Sequence, residues 1–227
     1  MRRRGSRLRT AAPLSSLYNG LLAGFHLNEI SGNPVDFVGN IVATNIGVTQ
    51  GVTGKFGNAI NGNDSYISLN TNSLIGGLSQ FTIAAWTKFP SSPGHSLAGS
   101  YGGNRMYAFS QNTFNQWIGN IYIGATMYQV GFQPPSGVNW TTTNVWYLTM
   151  FEWTGTVFKL TVNTDECTNP LTTPPGTIQK GTTETIGAGW YGYPGSARII
   201  DEVLYWNRPL TIEEKTNLWN GGSGIIL

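Results

Sequence analysis

The sequence predicts one all-β domain of the sandwich or barrel kind, and three observations carry the prediction. Thirty Gly and eleven Pro in 227 residues, with only 11% charged residues, supply turns at short intervals and leave little of the Ala, Glu, Lys and Leu content that helices need. Between those turns recur runs of β-branched and aromatic residues, most clearly at residues 81–89, 145–153 and 199–206. The length suits one sandwich better than two separate domains, and it is enough to bury a sizeable core.

Residues 1–19 stand apart from this pattern as a basic arm, and residues 20–227 form the domain. Arg2, Arg3, Arg4, Arg7 and Arg9 are five of the thirteen basic residues, leaving eight against eleven acidic ones and a net charge of −3 on the remainder. Clustered arginines attract phosphate through counterion release, which would suit nucleic acid. A solvated tail or a docking peptide is preferred, because nothing in the β domain continues the basic stripe. The arm has charge without the apolar core of a signal peptide, and no apolar run in the chain is long enough to span a membrane.

Residues 21–27 alternate as a first strand, with Leu21, Ala23, Phe25 and Leu27 on one side. The Asn-, Gly- and Ser-rich stretch 28–40 reads as a surface loop that turns by side-chain hydrogen bonds to its own backbone. A short strand falls within 41–52, and Asn61-Gly62-Asn63-Asp64 suggests a hairpin-like turn before a strand over 66–69. In 81–89, Phe81, Ile83 and Ala85 share one face and Thr82, Ala84 and Trp86 the other; both faces are largely apolar, as in a strand covered on each side. Aromatic, Gly-punctuated strands follow over 106–110, 117–125 and 127–132. A long hairpin spans 145–163 around the turn Thr154-Gly155-Thr156. The strand 199–206 is interrupted by Asp201-Glu202, whose carboxylates need partners inside an apolar run. Thr211 followed by Glu214 is a capping box opening the one short helix, and Gly221-Gly222 marks its stop.

At Ile200-Asp201-Glu202-Val203, with Ile186-Gly187 before it and Tyr205, Arg208, Leu210, Thr211 and Glu214 after it, the chain resembles the closing segment of LamG-like jelly-roll domains of the concanavalin A-like lectin/glucanase superfamily. The resemblance continues through Asn28-Glu29-Ile30-Ser31-Gly32 with Asp36, through Gly54-Lys55-Phe56-Gly57-Asn58-Ala59 and through Phe81–Trp86, in family order. It implies a two-sheet antiparallel jelly roll with one short C-terminal helix. Two departures stand out. Asn163 is followed by Thr164-Asp165-Glu166-Cys167 instead of a tight Asn-Gly, implying a longer loop, and Arg198 occupies a position where the family commonly has Gly.

Superfamily members that hydrolyse β-glucans carry acids on alternate residues of one strand, because acid and nucleophile must flank one bond. Here Asp165-Glu166 and Asp201-Glu202 are adjacent pairs, which in a strand point to opposite faces. His26 and His95 lack a triad context, and His26 reads as a structural histidine. Cys167 is the only cysteine, so no disulfide forms within the chain. The chain therefore reads as non-catalytic. The resemblance brings Asp36 together with Asp201 or Glu202 at a sandwich rim, where Ca2+ is the one cofactor to weigh; the preferred alternative is that Asp201 and Glu202 hydrogen-bond loop amides and Asp36 makes an Asx-turn. For glycans, Trp190, Tyr191 and Tyr193 in a Gly/Pro loop are the best aromatic platform, followed by Trp140 beside Asn139 and Tyr101 beside Gly102. Contact with a neighbouring subunit is an equal reading of these aromatics.

Two functions follow. The first is a structural or adhesive module on the surface of an assembly, a bacteriophage virion being the foremost case as capsid decoration or tail protein. It would dock through the arm to other subunits, and its display on a particle could include host glycans. The second is a stand-alone lectin-like protein, secreted or at a cell surface.

Overall fold

The computed structural model describes residues 14–62, 65–71, 74–90, 95–101, 108–111, 116–140, 142–170, 176–187 and 198–227. In chain order the strands are β1 (Leu21–Phe25), β2 (Thr44–Ile46), β3 (Thr49–Thr53), β4 (Asn58–Asn61), β5 (Tyr66–Ser68), β6 (Phe81–Lys88), β7 (His95–Tyr101) and β8 (Ala108–Gln111). They continue as β9 (Trp117–Ile123), β10 (Thr126–Phe132), β11 (Trp146–Trp153), β12 (Val157–Val162), β13 (Asp165–Pro170), β14 (Thr183–Ile186) and β15 (Ile199–Trp206), before helix α1 (Ile212–Trp219). One sheet runs β13-β12-β11-β6-β15-β4-β3, with β1 also paired to β15; the other runs β10-β9-β8-β7-β14-β5-β2. Among the described residues all pairings between strands are antiparallel, as the jelly-roll expectation requires.

The central strand β6 explains the layering. Phe81, Ile83 and Ala85 enter the core between the sheets, while Ala84 and Trp86 enter a second cluster on the outer face of the first sheet. Leu148, Met150, Leu204 and Trp206 supply the same outer cluster from β11 and β15, and Leu210, Leu218 and Trp219 cover it from the helical side. The first sheet is thus apolar on both faces because it is the middle layer of three.

Residues 14–19, assigned to the arm on composition, pack against this outer face. Leu14–Tyr18 forms a short 3-10 helix whose Leu17 is fully buried, and the Leu17 carbonyl accepts a hydrogen bond from Trp206 Nε1 at 2.7 Å. Arg2, Arg3, Arg4, Arg7 and Arg9 lie outside the described residues.

Several local expectations are met. The Thr154 amide bonds to the Val157 carbonyl and closes the β11–β12 hairpin, and the capping box at Thr211 and Glu214 is complete. The helix stops because Asn220 turns into the left-handed region ahead of Gly221 and Gly222. At eight residues it is too short to cross a membrane, and no longer helix occurs among the described residues.

Other expectations are corrected. β4 and β5 lie in different sheets, so the segment around Gly62 is a crossover and not a hairpin. In β1 the register slips between Leu21 and Ala23, which sends Leu21 to the outer cluster while Ala23, Phe25 and Leu27 stay inside. The turn after β12 is two residues long, because Val162 pairs with Asp165 and Asn163 itself takes a φ of 58°. Its Oδ1 accepts the Leu148 amide and its own amide bonds to the Leu148 carbonyl, anchoring the turn to β11. Arg198 is 1% exposed, and its guanidinium lies where side chains at Gly62 and Gly187 would be, 3.1 and 3.2 Å from their would-be Cβ atoms. The glycines that make room for Arg198 therefore sit elsewhere in the chain.

Candidate functional site

The acids nominated by the sequence are sequestered. Asp36 accepts the Gly24 and Val38 amides on Oδ1, at 2.8 and 3.0 Å, and the Asn40 and Ile41 amides on Oδ2, at 2.9 and 3.0 Å. Four backbone donors saturate this carboxylate, and it folds the loop 28–40 onto β1. Asp201 is completely buried, with Oδ2 accepting the Lys55 and Phe56 amides at 2.7 and 2.9 Å. Gly54 is required beside it, because a Cβ there would lie 2.7 Å from Asp201 Oδ2 and 2.4 Å from a backbone oxygen. Among the described residues no group of three or more His, Cys, Asp or Glu side chains could hold a metal ion. Through these amide hydrogen bonds Asp36 holds the loop after β1 and Asp201 the loop at Lys55 and Phe56.

The adjacent pair Asp201-Glu202 does not point to opposite faces. Ile200 and Val203 both enter the inner core, so the two residues between them share the other side. The cause is a bulge: the pairing with β6 slips between Asp201 and Leu204, and Glu202 takes a φ of 50°. It lies where β15 exchanges one neighbour for another, β4 at Ile199 and Ile200, then β1 from Val203 onward. Glu202, 2% exposed, faces His26, whose Nδ1 is 3.0 Å from both carboxylate oxygens, and the imidazole stacks on Phe37 at 4.4 Å. His26 is the paired structural histidine that the sequence suggests.

Burial pushes Asp201 up to about 7, with the neighbouring Glu202 charge adding to it against the amide hydrogen bonds, and burial pushes Glu202 up to about 8. Burial also lowers His26, opposed by Asp201 and Glu29. The two acids hold protons in the folded state that they lose in the unfolded chain, so their contribution to stability falls as pH rises from about 4 to about 8. His26 acts in the opposite sense, losing stability as pH falls below its ordinary 6.5. Asp201→Asn keeps an oxygen for the two amides and has no charge to bury. It is expected to shrink the loss of stability between pH 5 and pH 8 by on the order of 2 kcal/mol in urea unfolding. Parallel pH profiles for the two proteins would disprove it.

A surface pocket lies elsewhere, over the outer face of the first sheet beside α1, with a volume of about 360 Å³. Lys159, Glu166 and Lys215 line it, and the buried Glu152 completes their charge network from below. Glu152, on the outer face of β11 and 2% exposed, accepts from the Leu210 amide at 2.9 Å and lies 3.4 Å from Lys215 of the helix. Lys215 reaches Glu166 of β13 at 2.9 Å, and Lys159 of β12 reaches the other Glu166 oxygen at 3.3 Å. Burial would raise Glu166, but the hydrogen bonds and charges of Lys215 and Lys159 outweigh it and hold its carboxyl below the usual range. Leu210, Ile212 and Trp219 form an apolar side, and Thr161, Asn163, Thr164 and Thr216 a polar one. Trp219 is itself braced by stacking on Trp86 at 5.6 Å.

None of these pocket residues was singled out as a site by the sequence. The available signal was Glu152, one carboxylate between Phe151 and Trp153 in an otherwise apolar strand. Of the nominated aromatics, Trp140 is 1% exposed and belongs to the inner core, so its ring offers no face to a sugar. Tyr101 ends β7, in register with Thr183. Trp190, Tyr191 and Tyr193 lie outside the described residues. The Cys167 thiol is raised by burial and by Asp165 and Glu166, which keeps it protonated and unreactive.

A family model described as the concanavalin A-like lectin/glucanases superfamily matches residues 61–214. The chain belongs to this superfamily. A search of curated proteins returns no match. Among solved structures, the binding domain of Paraclostridial Mosquitocidal Protein 1 superposes with a TM-score of 0.72 at 15% identity, over 90% of this chain and 52% of that one. A botulinum neurotoxin type C structure, whose cell entry is described as dependent on two ganglioside molecules, superposes with a TM-score of 0.68 at 13% identity, over 94% and 53%. Domain 4 of AbnA, a GH43 extracellular arabinanase from Geobacillus stearothermophilus solved with arabinotriose, gives 0.65 at 19% identity, over 86% and 96%. This superfamily chain spans about half the length of the toxin chains and nearly the full length of the arabinanase domain.

Proposed function

We propose that the chain is a non-catalytic glycan-binding module. The observation that carries this reading is the pocket beside α1, which combines an indole wall, hydroxyl and amide groups and one carboxylate, Glu166, that is bound to two lysines. A glycosidase needs one protonated carboxylic acid beside a second carboxylate. Glu166 is held on the ionised side of its ordinary range, and Asp201 and Glu202, whose pKa values are raised, are closed off from solvent. The resemblance in fold to an arabinotriose-bound domain supports the ligand class. We place a second platform at the loop carrying Trp190, Tyr191 and Tyr193, with Tyr101 as a further contact.

The arginine-rich segment suits a tether, and a bacteriophage particle is the assembly we favour for it, since five arginines fall within nine residues ahead of a mildly acidic domain. The full chain and a form lacking residues 1–10 are to be compared on a glycan array, in reducing-sugar release from the bound glycans, and in co-sedimentation with particles. Binding without sugar release is expected from both forms, and co-sedimentation from the full chain alone. Hydrolysis would overturn the non-catalytic reading, and equal sedimentation would remove the docking role from the arm.

A further inference from the structure

The pocket beside α1 is built in a way that selects among saccharides, and this step rests on the glycan-binding reading above. Its floor is electrically closed. Two ammonium groups, Lys159 and Lys215, meet two carboxylates, Glu152 and Glu166, within 2.9 to 4.0 Å. Lys215 and Glu152 are 9% and 2% exposed in their side chains, so they are fixed in place by packing. Lys159 and Glu166, at 30% and 34%, present their free hydrogen-bonding capacity to the opening.

An anionic sugar entering here would have to compete with Glu166 for both lysines, and an amino sugar would meet two ammonium groups already in place. Both would leave a charge of the network unmatched at a half-buried position, which is costly. A hydroxyl group disturbs nothing: it accepts from a lysine N–H and donates to a carboxylate oxygen at once, making two charge-assisted hydrogen bonds while the network stays neutral. Ile212 and Trp219 provide the apolar surface on which the C–H face of a sugar ring rests. The volume lies at the small end of ligand pockets, which limits occupancy to a short terminal portion of a chain.

We infer that the pocket between α1 and the β12–β13 edge is a subsite for an uncharged saccharide, held by hydroxyl contacts to Lys159 and Glu166 over an apolar wall.

The test uses the full chain on an array of neutral, sialylated and amino-sugar glycans, followed by titration calorimetry with the best neutral ligand and with sialyllactose. Thr216→Trp on the helix and Thr164→Trp on the β12–β13 turn fill the pocket from two elements at exposed positions and leave the four charges intact. Each is expected to weaken the neutral ligand at least tenfold at an unchanged melting temperature. Lys159→Gln, which removes one hydroxyl partner, is expected to weaken it by about tenfold. Affinity for the neutral ligand should stay within about twofold between low and high salt, because no counterion is displaced. Tight binding of the wild type that survives both tryptophan variants overturns this inference and leaves the glycan reading standing. Preference for sialyllactose, lost in the filled variants and steeply weakened by salt, overturns the uncharged class. Failure of the wild type to bind any glycan overturns the proposed function and this inference with it.

Discussion

Phe151→Ala is expected to lower the free energy of unfolding by about 3–5 kcal/mol. Phe151 reaches from β11 into the inner core, where its ring stacks on Phe158 at 5.2 Å and meets Phe81 and Phe132 edge-on at 5.7 and 6.4 Å. Across the gap it rests on Gly119 of β9, where an added Cβ would lie 2.2 Å from the ring. One aromatic side chain thus spans from one sheet to the other and touches backbone. Its removal leaves a cavity that Gly119 has no side chain to fill. Chemical denaturation with an unchanged m-value measures the loss. The same contact predicts a coupling: Gly119→Ala should be strongly destabilising in the wild type and nearly neutral in the Phe151→Ala background. A loss below about 1 kcal/mol for Phe151→Ala, or simple additivity of the two changes, would contradict this account of how the sheets meet.

Arg208→Ala is expected to cost about 3 kcal/mol and to free the segment before β1. The guanidinium grips Glu214 with two parallel bonds of 2.8 Å, and Glu214 is only 4% exposed in its side chain. Its Nε donates to the Asn19 carbonyl at 2.7 Å and Nη2 to the Ser16 carbonyl at 2.9 Å. A single cation therefore ties the helix cap to the entry of the first strand. Burial would raise Glu214, but hydrogen bonds from Arg208 and from the Thr211 amide outweigh it and hold the carboxyl below its ordinary value. A depressed acid contributes stability above its unfolded pKa and loses it as pH falls through the folded one. The gap between wild type and Arg208→Ala should therefore narrow below about pH 4. Hydrogen exchange is expected to accelerate at residues 16–19. Arg208→Lys should rescue little, because an ammonium cannot reproduce the two-pronged geometry. Full rescue by lysine would show that charge alone suffices.

Much of the layering is legible in the sequence because it depends on local pattern. In β6 the alternation of Phe81, Ile83 and Ala85 with Ala84 and Trp86 states directly that both faces are covered. Thr211 and Glu214 announce the helix for the same reason, since a capping box is complete within four residues. The bulge at Glu202 is not legible in this way. It follows from β15 changing partners between β4 and β1, a fact about strands some 140 to 180 positions away. Two consecutive carboxylates in an apolar strand were the visible trace, since both have to find donors on one side. The pocket was hidden for a related reason. Hairpin register alone sets Lys159 opposite Glu152, yet Lys215 arrives only once the helix lies down across the outer face. Residue pairs that close within a hairpin can be inferred from spacing, and those that need a whole layer to be laid down cannot.

The short helical turn at Leu14–Tyr18 and the last residues, Ile225 and Leu227, rest on the same outer cluster. Segments from opposite ends of the described chain therefore cover one face of the first sheet. The outer layer is thus stitched together from segments about 200 positions apart, and its closure depends on contacts of high sequence separation.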